Sequence, residues 1–289
     1  MKKQVMIISF FILVVFSFPI YSQRNDSDST DQAELEVILK KCAEYCEKLN
    51  NSVLYFVCNE KITEVINNLG PSSRRRSPSG RVYYFNEKGE TASPITKNVY
   101  IYDFQLIRKE NKIRERRILL KENGKTINEE DAQLKTRRFG HKHVVFGPIG
   151  LLSEQSQQYY DYKIVKEESF KGEKVFVLEI TPKPSIEIEA LYGKAWVRKS
   201  DFSILKIEWN PVSVRNYEKI EELAKKLHAE PEITFVSEYD FEKNNIRFPS
   251  KYFVKEVYRS PGWGTYLKSE IKVIYNNYKF FTVELEVKH

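Results

Sequence analysis

Few residue types in this chain have both the chemistry and the spacing for a reactive centre. His141-Lys142-His143 would turn two imidazoles to one side of an extended segment, but no cysteine or carboxylate lies close in sequence to complete a metal site, so a solvated strand end is expected. Three cysteines, Cys42, Cys46 and Cys58, fall near the N-terminal side. Cys42 and Cys46 are four apart on a predicted helix, on one face but with Cβ atoms too far apart for a relaxed disulfide. Cys58 is then the partner, and Cys46–Cys58 is the expected bridge because Cys46 lies near the helix end and the chain can fold back as a strand. Cys42 is left as a buried thiol; zinc on three cysteines lacks a fourth ligand. Glu60 shares its predicted strand face with Cys58, and Glu208 precedes Trp209. Either carboxyl, if sunk in a pocket, would have a raised pKa suited to proton transfer or to a cationic ligand. The ordinary reading is a rim position or a partner among the many Lys and Arg residues. Gly-x-Ser-x-Gly, His-Glu-x-x-His, the Walker loop and Gly-x-Gly-x-x-Gly are all absent, and nothing in the sequence argues for catalysis, a metal or a cofactor.

The elements that would position these residues are mostly strands. Gln32 to Leu49 repeats apolar residues at Leu35, Ile38, Leu39, Cys42, Tyr45, Cys46 and Leu49, one face of a helix, with Asp31 as its N-cap. From Leu54 the period changes to two, placing Leu54, Phe56, Cys58, Glu60 and Ile62 on one side. Leu69 to Gly80 reads as a Pro/Ser/Gly/Arg loop. Strand patterns recur at Val99–Arg108, Arg114–Lys121, Tyr160–Glu167, Lys174–Thr181, Ala195–Arg198, Ile204–Asn210, Ile233–Phe241, Phe248–Arg259, Thr265–Tyr275 and Lys279–Val287. Short turns such as Lys171-Gly172, Asn244-Asn245 and Asn276-Asn277 separate them. Two segments interrupt this antiparallel meander: Gly140–Tyr159, a short helix or plug, and Pro211–Ala229, an amphipathic helix. Ten or eleven strands crowd a flat open sheet. A mainly β (α+β) fold is therefore expected, a strongly curved antiparallel sheet or unclosed barrel with helices over its concave face.

The N-terminus reads as an export signal: Lys2 and Lys3, an apolar run from Val5 to Ile20, and cleavage near Ser22. The apolar run falls short of the roughly 20 residues that span a bilayer, and no cysteine follows it for lipidation. Residues 23–31 are expected as a polar linker and 32–289 as a single domain, in an oxidising compartment outside the cytoplasm. The formal charge of +7 becomes +5 without Lys2 and Lys3, with both signs interspersed. That balance does not call for nucleic acid. The basic run Arg74-Arg75-Arg76 reads as a solvated or headgroup-facing loop. The 18 Tyr, 18 Phe and 3 Trp can line a greasy cavity in a curved sheet or simply fill it.

The helix leading into Phe56-Val57-Cys58-Asn59-Glu60, the hairpin of Gly193-Lys194-Ala195-Trp196-Val197-Arg198 with Ser200-Asp201 and Ile204-Leu205-Lys206-Ile207-Glu208, and the later Phe235–Phe241 and Phe248-Pro249-Ser250-Lys251 hairpin together resemble the periplasmic lipoprotein-carrier superfamily of LolA, LolB and RseB-type domains. That resemblance implies an unclosed antiparallel half-barrel, helices over its mouth, and acyl chains of lipids or lipoproteins in an apolar cavity, in the periplasm. The expected lining is Leu54, Phe56, Ile62, Tyr102, Phe104, Phe235, Tyr239, Ile271, Val273, Phe281, Val283 and Leu285, with Leu35, Ile38 and Leu39 as a helical lid. The alternative on the same scaffold is a structural or sensory envelope domain with a filled core and a protein partner. Peripheral membrane contact fits both. The chain departs from the typical carrier in its length, its expected disulfide and its Arg-rich loop, and a fold of this kind does not fix its ligand.

Overall fold

A computed structural model describes residues 26–52, 55–68, 74–80, 82–84, 95–109, 112–184, 191–262 and 264–281. The signal segment 1–22 and the start of the expected linker, 23–25, lie outside these residues. Among the described residues no helix is long and apolar enough to cross a membrane.

Helix α1 spans Asp26–Asn51. It begins five residues before Asp31, which therefore lies inside the helix instead of at its N-cap. Its apolar stripe buries Leu35, Ile38, Cys42, Tyr45, Cys46 and Leu49. Strand β1 (Tyr55–Asn67) alternates strictly, with Phe56, Cys58, Glu60, Ile62 and Glu64 buried on one face. Arg74–Arg76, expected in a loop, is instead a short strand, β2, which pairs with β3 (Val82–Tyr84) just beyond the expected loop. The meander continues as β4 (Ile95–Lys109), β5 (Lys112–Glu122) and β6 (Lys125–Glu129). After the interruption come β7 (Tyr160–Phe170), β8 (Glu173–Pro182), β9 (Gly193–Arg198) and β10 (Ile204–Trp209). The chain ends with β11 (Glu230–Glu238), β12 (Phe241–Lys243), β13 (Ile246–Phe248), β14 (Lys251–Ser260) and β15 (Gly264–Phe280).

Eleven of these strands form one antiparallel sheet in the order β6-β5-β4-β1-β15-β14-β11-β10-β9-β8-β7, open at β6 and β7. The last long strand pairs with the first, so β1 and β15 sit inside the sheet and fasten its two halves together. Asn123 and Gly124, both at positive φ, make the tight turn from β5 to β6, the backbone that suits the twist of a two-residue hairpin.

Two turns differ from expectation. Asn244 and Asn245 do turn the chain, but between β12 and β13, a separate two-stranded sheet. Asn276-Asn277 is no turn: it is a bulge inside β15, after which Lys279 and Phe280 go on pairing with Val57 and Phe56. A bulge adds one residue and reverses the alternation beyond it. Phe280 consequently shares the inner face with Phe56, while Phe281 goes to the other face and packs against Tyr55, ring centroids 4.9 Å apart and planes tilted by 37°.

The concave face is covered from within. Residues 132–159 enter it as an irregular stretch, a 3-10 turn (Val144–Phe146), helix α2 (Gly147–Leu152) and helix α3 (Glu154–Gln157). Helix α1 lies over α2, and Ala132, Val145, Leu151 and Leu152 join the main core. Helix α4 (Tyr217–Leu227), the apolar-faced helix expected in Pro211–Ala229, packs Ile220 and Ala224 on Tyr258 and Tyr266.

Candidate functional site

Residues 132–152 act as a plug, and the sheet is built to hold it. Irregular backbone inside a core needs partners for its carbonyls. Four tyrosines, three on strands and one just past the end of β11, supply them: Tyr102 donates to the Gln133 carbonyl at 3.3 Å, Tyr252 to Gly140 at 3.1 Å, Tyr239 to Val144 at 2.9 Å and Tyr162 to Leu151 at 2.6 Å. Burial pushes the Tyr102 hydroxyl up to about 12, so these groups stay protonated and donating.

Three fully buried carboxyl groups fix the same segment, two through ion pairs and one through backbone hydrogen bonds. Glu60 on β1 accepts from Arg117 Nε at 2.7 Å and Nη2 at 3.1 Å, and meets His141 Nε2 of the plug at 2.9 Å. Glu64 accepts from the Arg137 backbone N–H at 2.7 Å. Glu256 on β14 holds Arg138 in a two-point pair and accepts from Tyr258 and Ser269. Burial alone would raise the Glu60 pKa, yet the charges and hydrogen bonds of His141 and Arg117 outweigh it and hold the carboxyl down at about 2. Arg117 lies 4.5 Å above the Phe104 ring, which covers the pair. Glu60 thus has the ordinary role of a carboxylate with basic partners, sealed from any substrate. Glu208 is half exposed and pairs with Lys206. His141, expected at a solvated strand end, is buried against Glu60; His143 remains exposed beside Glu115.

The expected disulfide is not formed. Cys42, Cys46 and Cys58 are all free and buried. The Cys46 thiol faces the Pro148 carbonyl at 3.5 Å, because α2 occupies the space beneath α1. The plug, which sequence periodicity does not place, is what takes the thiol away from β1. Burial pushes the Cys42 thiol up to about 12, and those of Cys46 and Cys58 also upward.

Of the residues expected to line a cavity, Phe56, Ile62, Tyr102, Phe104, Phe235, Tyr239, Ile271 and Val273 all lie buried in one core. They meet other side chains there: Phe56 has Phe104, Phe248, Tyr278 and Phe280 around its ring at 5.2 to 6.1 Å. Where the plug crosses Phe104, Arg117 and Tyr275 the void is about 10 Å³, room for about one water. Phe281 is turned to the outer face by the bulge. Leu54, Val283 and Leu285 lie outside the described residues.

The open space is instead beside the plug. An open groove of about 730 Å³ runs between α1 and the α2–α3 helices, with Leu39, Ala43 and Ile149 on its apolar side, the sealed Cys46 behind them, and Lys40, Glu44, Glu47 and Glu154 among its polar lining. Leu35 and Ile38 of the expected lid point into the core, whereas Leu39 borders the groove. Gln157 ties the two walls, donating to the Leu39 carbonyl at 2.8 Å and the Leu152 carbonyl at 2.9 Å.

No family model and no curated protein matches the chain. Solved structures do. A LolA superfamily protein from Nitrosomonas europaea shares 15% identity over 85% of this chain and 94% of that one, at a TM-score of 0.32. A DUF1329 family protein from Desulfovibrio piger shares 13% over 88% and 94%, at 0.34. MucB, solved in complex with MucA, shares 10% over 83% and 93%, at 0.23. The chain is similar to these in fold alone, so ligand and partner rest on its own residues.

The sequence pattern does not single out Glu64, Arg117, Arg138, Glu256, Tyr162 or Tyr252, and it places Tyr102 and Tyr239 on a cavity wall, not as donors to the plug. Glu64 was within reach, since it continues the inward phase of Phe56, Glu60 and Ile62. Its partners come from the plug, 73 residues away, and periodicity carries no trace of them.

Proposed function

We propose that the chain is an exported, non-catalytic lipid-binding carrier that seats an acyl chain in the groove between α1 and α2–α3. The observation that supports this is the groove itself. Its volume of about 730 Å³ falls in the usual range for small-ligand sites, Leu39 and Ile149 on its apolar side pack against the core, and the rest of its lining is mostly polar, with Lys40 available to a headgroup. The buried ionic groups of the interior have no substrate access, which favours binding over catalysis. The test is native mass spectrometry of protein from its own envelope, together with uptake of a fluorescent fatty acid. Bound lipid, and uptake lost on Ala43→Trp, support the reading; absence of both overturns it.

A second reading, a filled scaffold that recruits an envelope protein, is favoured by the buried Glu60–Arg117–His141 and Glu256–Arg138 pairs, which hold the plug in place. A protein partner retained after delipidation, with no fatty-acid uptake, would select it.

A further inference from the structure

One end of the sheet exposes aromatic rings on both of its faces. On the outer face, Phe281 is 47% exposed and its ring packs tilted against Tyr55, with its N–H donating to the Tyr55 carbonyl at 2.9 Å. Tyr55 stands opposite Ile107, and Ile107 opposite Arg114, so Arg114, Ile107, Tyr55 and Phe281 form a row across four strands. At the spacing of neighbouring strands that row is on the order of 15 Å long. On the inner side of the same end, Phe241 is 37% exposed and lies flat on Tyr278 and Phe280, with centroids at 4.7 and 5.9 Å. Ile113, beside Arg114 at the start of β5, is exposed as well.

The charges at this end divide by sign. Glu115, Glu238, Asp240 and Glu242 are each engaged, by Arg117, Lys171, Lys251, Arg198 or Arg247. Lys112, Arg114, Lys243 and Lys279 are exposed, and no ion pair joins them to a carboxylate among the described residues. Exposed cations without an ion pair therefore accompany the exposed rings in the chain, Arg114 in their row, Lys243 two residues from Phe241 and Lys279 two residues from Phe281. A peptide partner would need a groove or a strand edge. A lipid surface needs neither: phosphates meet the cations, and rings enter the boundary between headgroups and acyl chains.

We propose that this end docks on an anionic bilayer, with Phe241 and Phe281 entering the interface and Lys243 and Lys279 meeting headgroup phosphates. Docking places the protein beside its acyl source but is independent of the groove, since fatty-acid uptake is read with a soluble probe and no vesicles.

The experiment is co-sedimentation of the mature chain with phosphatidylcholine vesicles, with and without phosphatidylglycerol. Binding is expected only with phosphatidylglycerol and is expected to fall with salt. The pair Lys243→Glu and Lys279→Glu should weaken it about tenfold or more, given the contribution of each basic residue near such a surface. The pair Lys225→Glu and Lys226→Glu on α4 should leave it unchanged. All four lysines are exposed, so circular dichroism should report an intact fold. Phe281→Trp should add emission that shifts to the blue on phosphatidylglycerol vesicles. No sedimentation with anionic vesicles, or equal losses from the two lysine pairs, would overturn the proposal.

Discussion

Arg138 and Glu256 face each other in a two-point pair, Nε to Oε2 at 2.7 Å and Nη2 to Oε1 at 2.6 Å, and so join the plug to the middle of the sheet. Glu256 is wholly buried, whereas the Arg138 side chain keeps a 30% exposed edge. Such a pair is weak evidence of net stability, but removing one member strands the other. Arg138→Met leaves the carboxylate with Tyr258 and Ser269 alone, and should cost about 3–5 kcal/mol in urea unfolding. Adding Glu256→Gln should recover part of that loss. A cost below about 1 kcal/mol for Arg138→Met would mean that the pair does not hold the plug.

Glu60 makes the same attachment depend on pH. Its carboxyl is held at about 2 in the folded chain against 4.5 for the ordinary group, because His141 and Arg117 outweigh the cost of burial. A carboxylate with a depressed folded pKa adds stability that is full above the unfolded value and is lost as pH falls through the folded one. Urea midpoints should therefore drop between pH 4.5 and pH 2. Glu60→Gln should be less stable at neutral pH and show a flatter profile over that window. Parallel profiles for the two proteins would show that Glu60 carries none of the dependence.

The alternation of Phe56, Glu60 and Ile62, the stripe from Leu35 to Leu49 and the hairpin turns made the curved sheet and its first helix legible. Alternation is local, set by which neighbours share a face. The plug was legible only as an interruption at Gly140–Tyr159, since Gly147, Pro148 and Gly150 break both periods. Its place is decided by tyrosines and carboxylates scattered over β1, β4, β7 and β14 and by Tyr239 just past β11. The Asn276-Asn277 bulge shows the other limit. Two asparagines suit a turn, and only pairing of Lys279 and Phe280 with β1 makes them a bulge, which moves Phe281 to the outside.

The plug also decides the cysteine chemistry. With α2 beneath α1, the Cys46 thiol meets the Pro148 carbonyl and all three thiols are sealed. Alkylation of the folded chain should label none of them quickly. Denaturation without reductant should then yield three labels by intact mass. A single label before reduction, rising to three afterwards, would restore a bridge among them.

Two glycines of α2 test the plug from opposite directions. A Cβ on Gly147 would stand 2.6 Å from the Tyr239 hydroxyl and 3.3 Å from Trp209. That hydroxyl is the one donating to the Val144 carbonyl, so Gly147→Ala must push it off its acceptor or lift the helix from the sheet. Leaving that carbonyl without its donor and straining the contact should cost about 1–3 kcal/mol. Gly150 lies in the same helix with nothing within 4 Å of its added Cβ, and its φ is not positive. Gly150→Ala should instead stabilise the chain, by up to about 1 kcal/mol, because alanine restricts the unfolded backbone and favours helix. Urea unfolding of the two variants should move in opposite directions. If both moved alike, α2 would not rest on Tyr239.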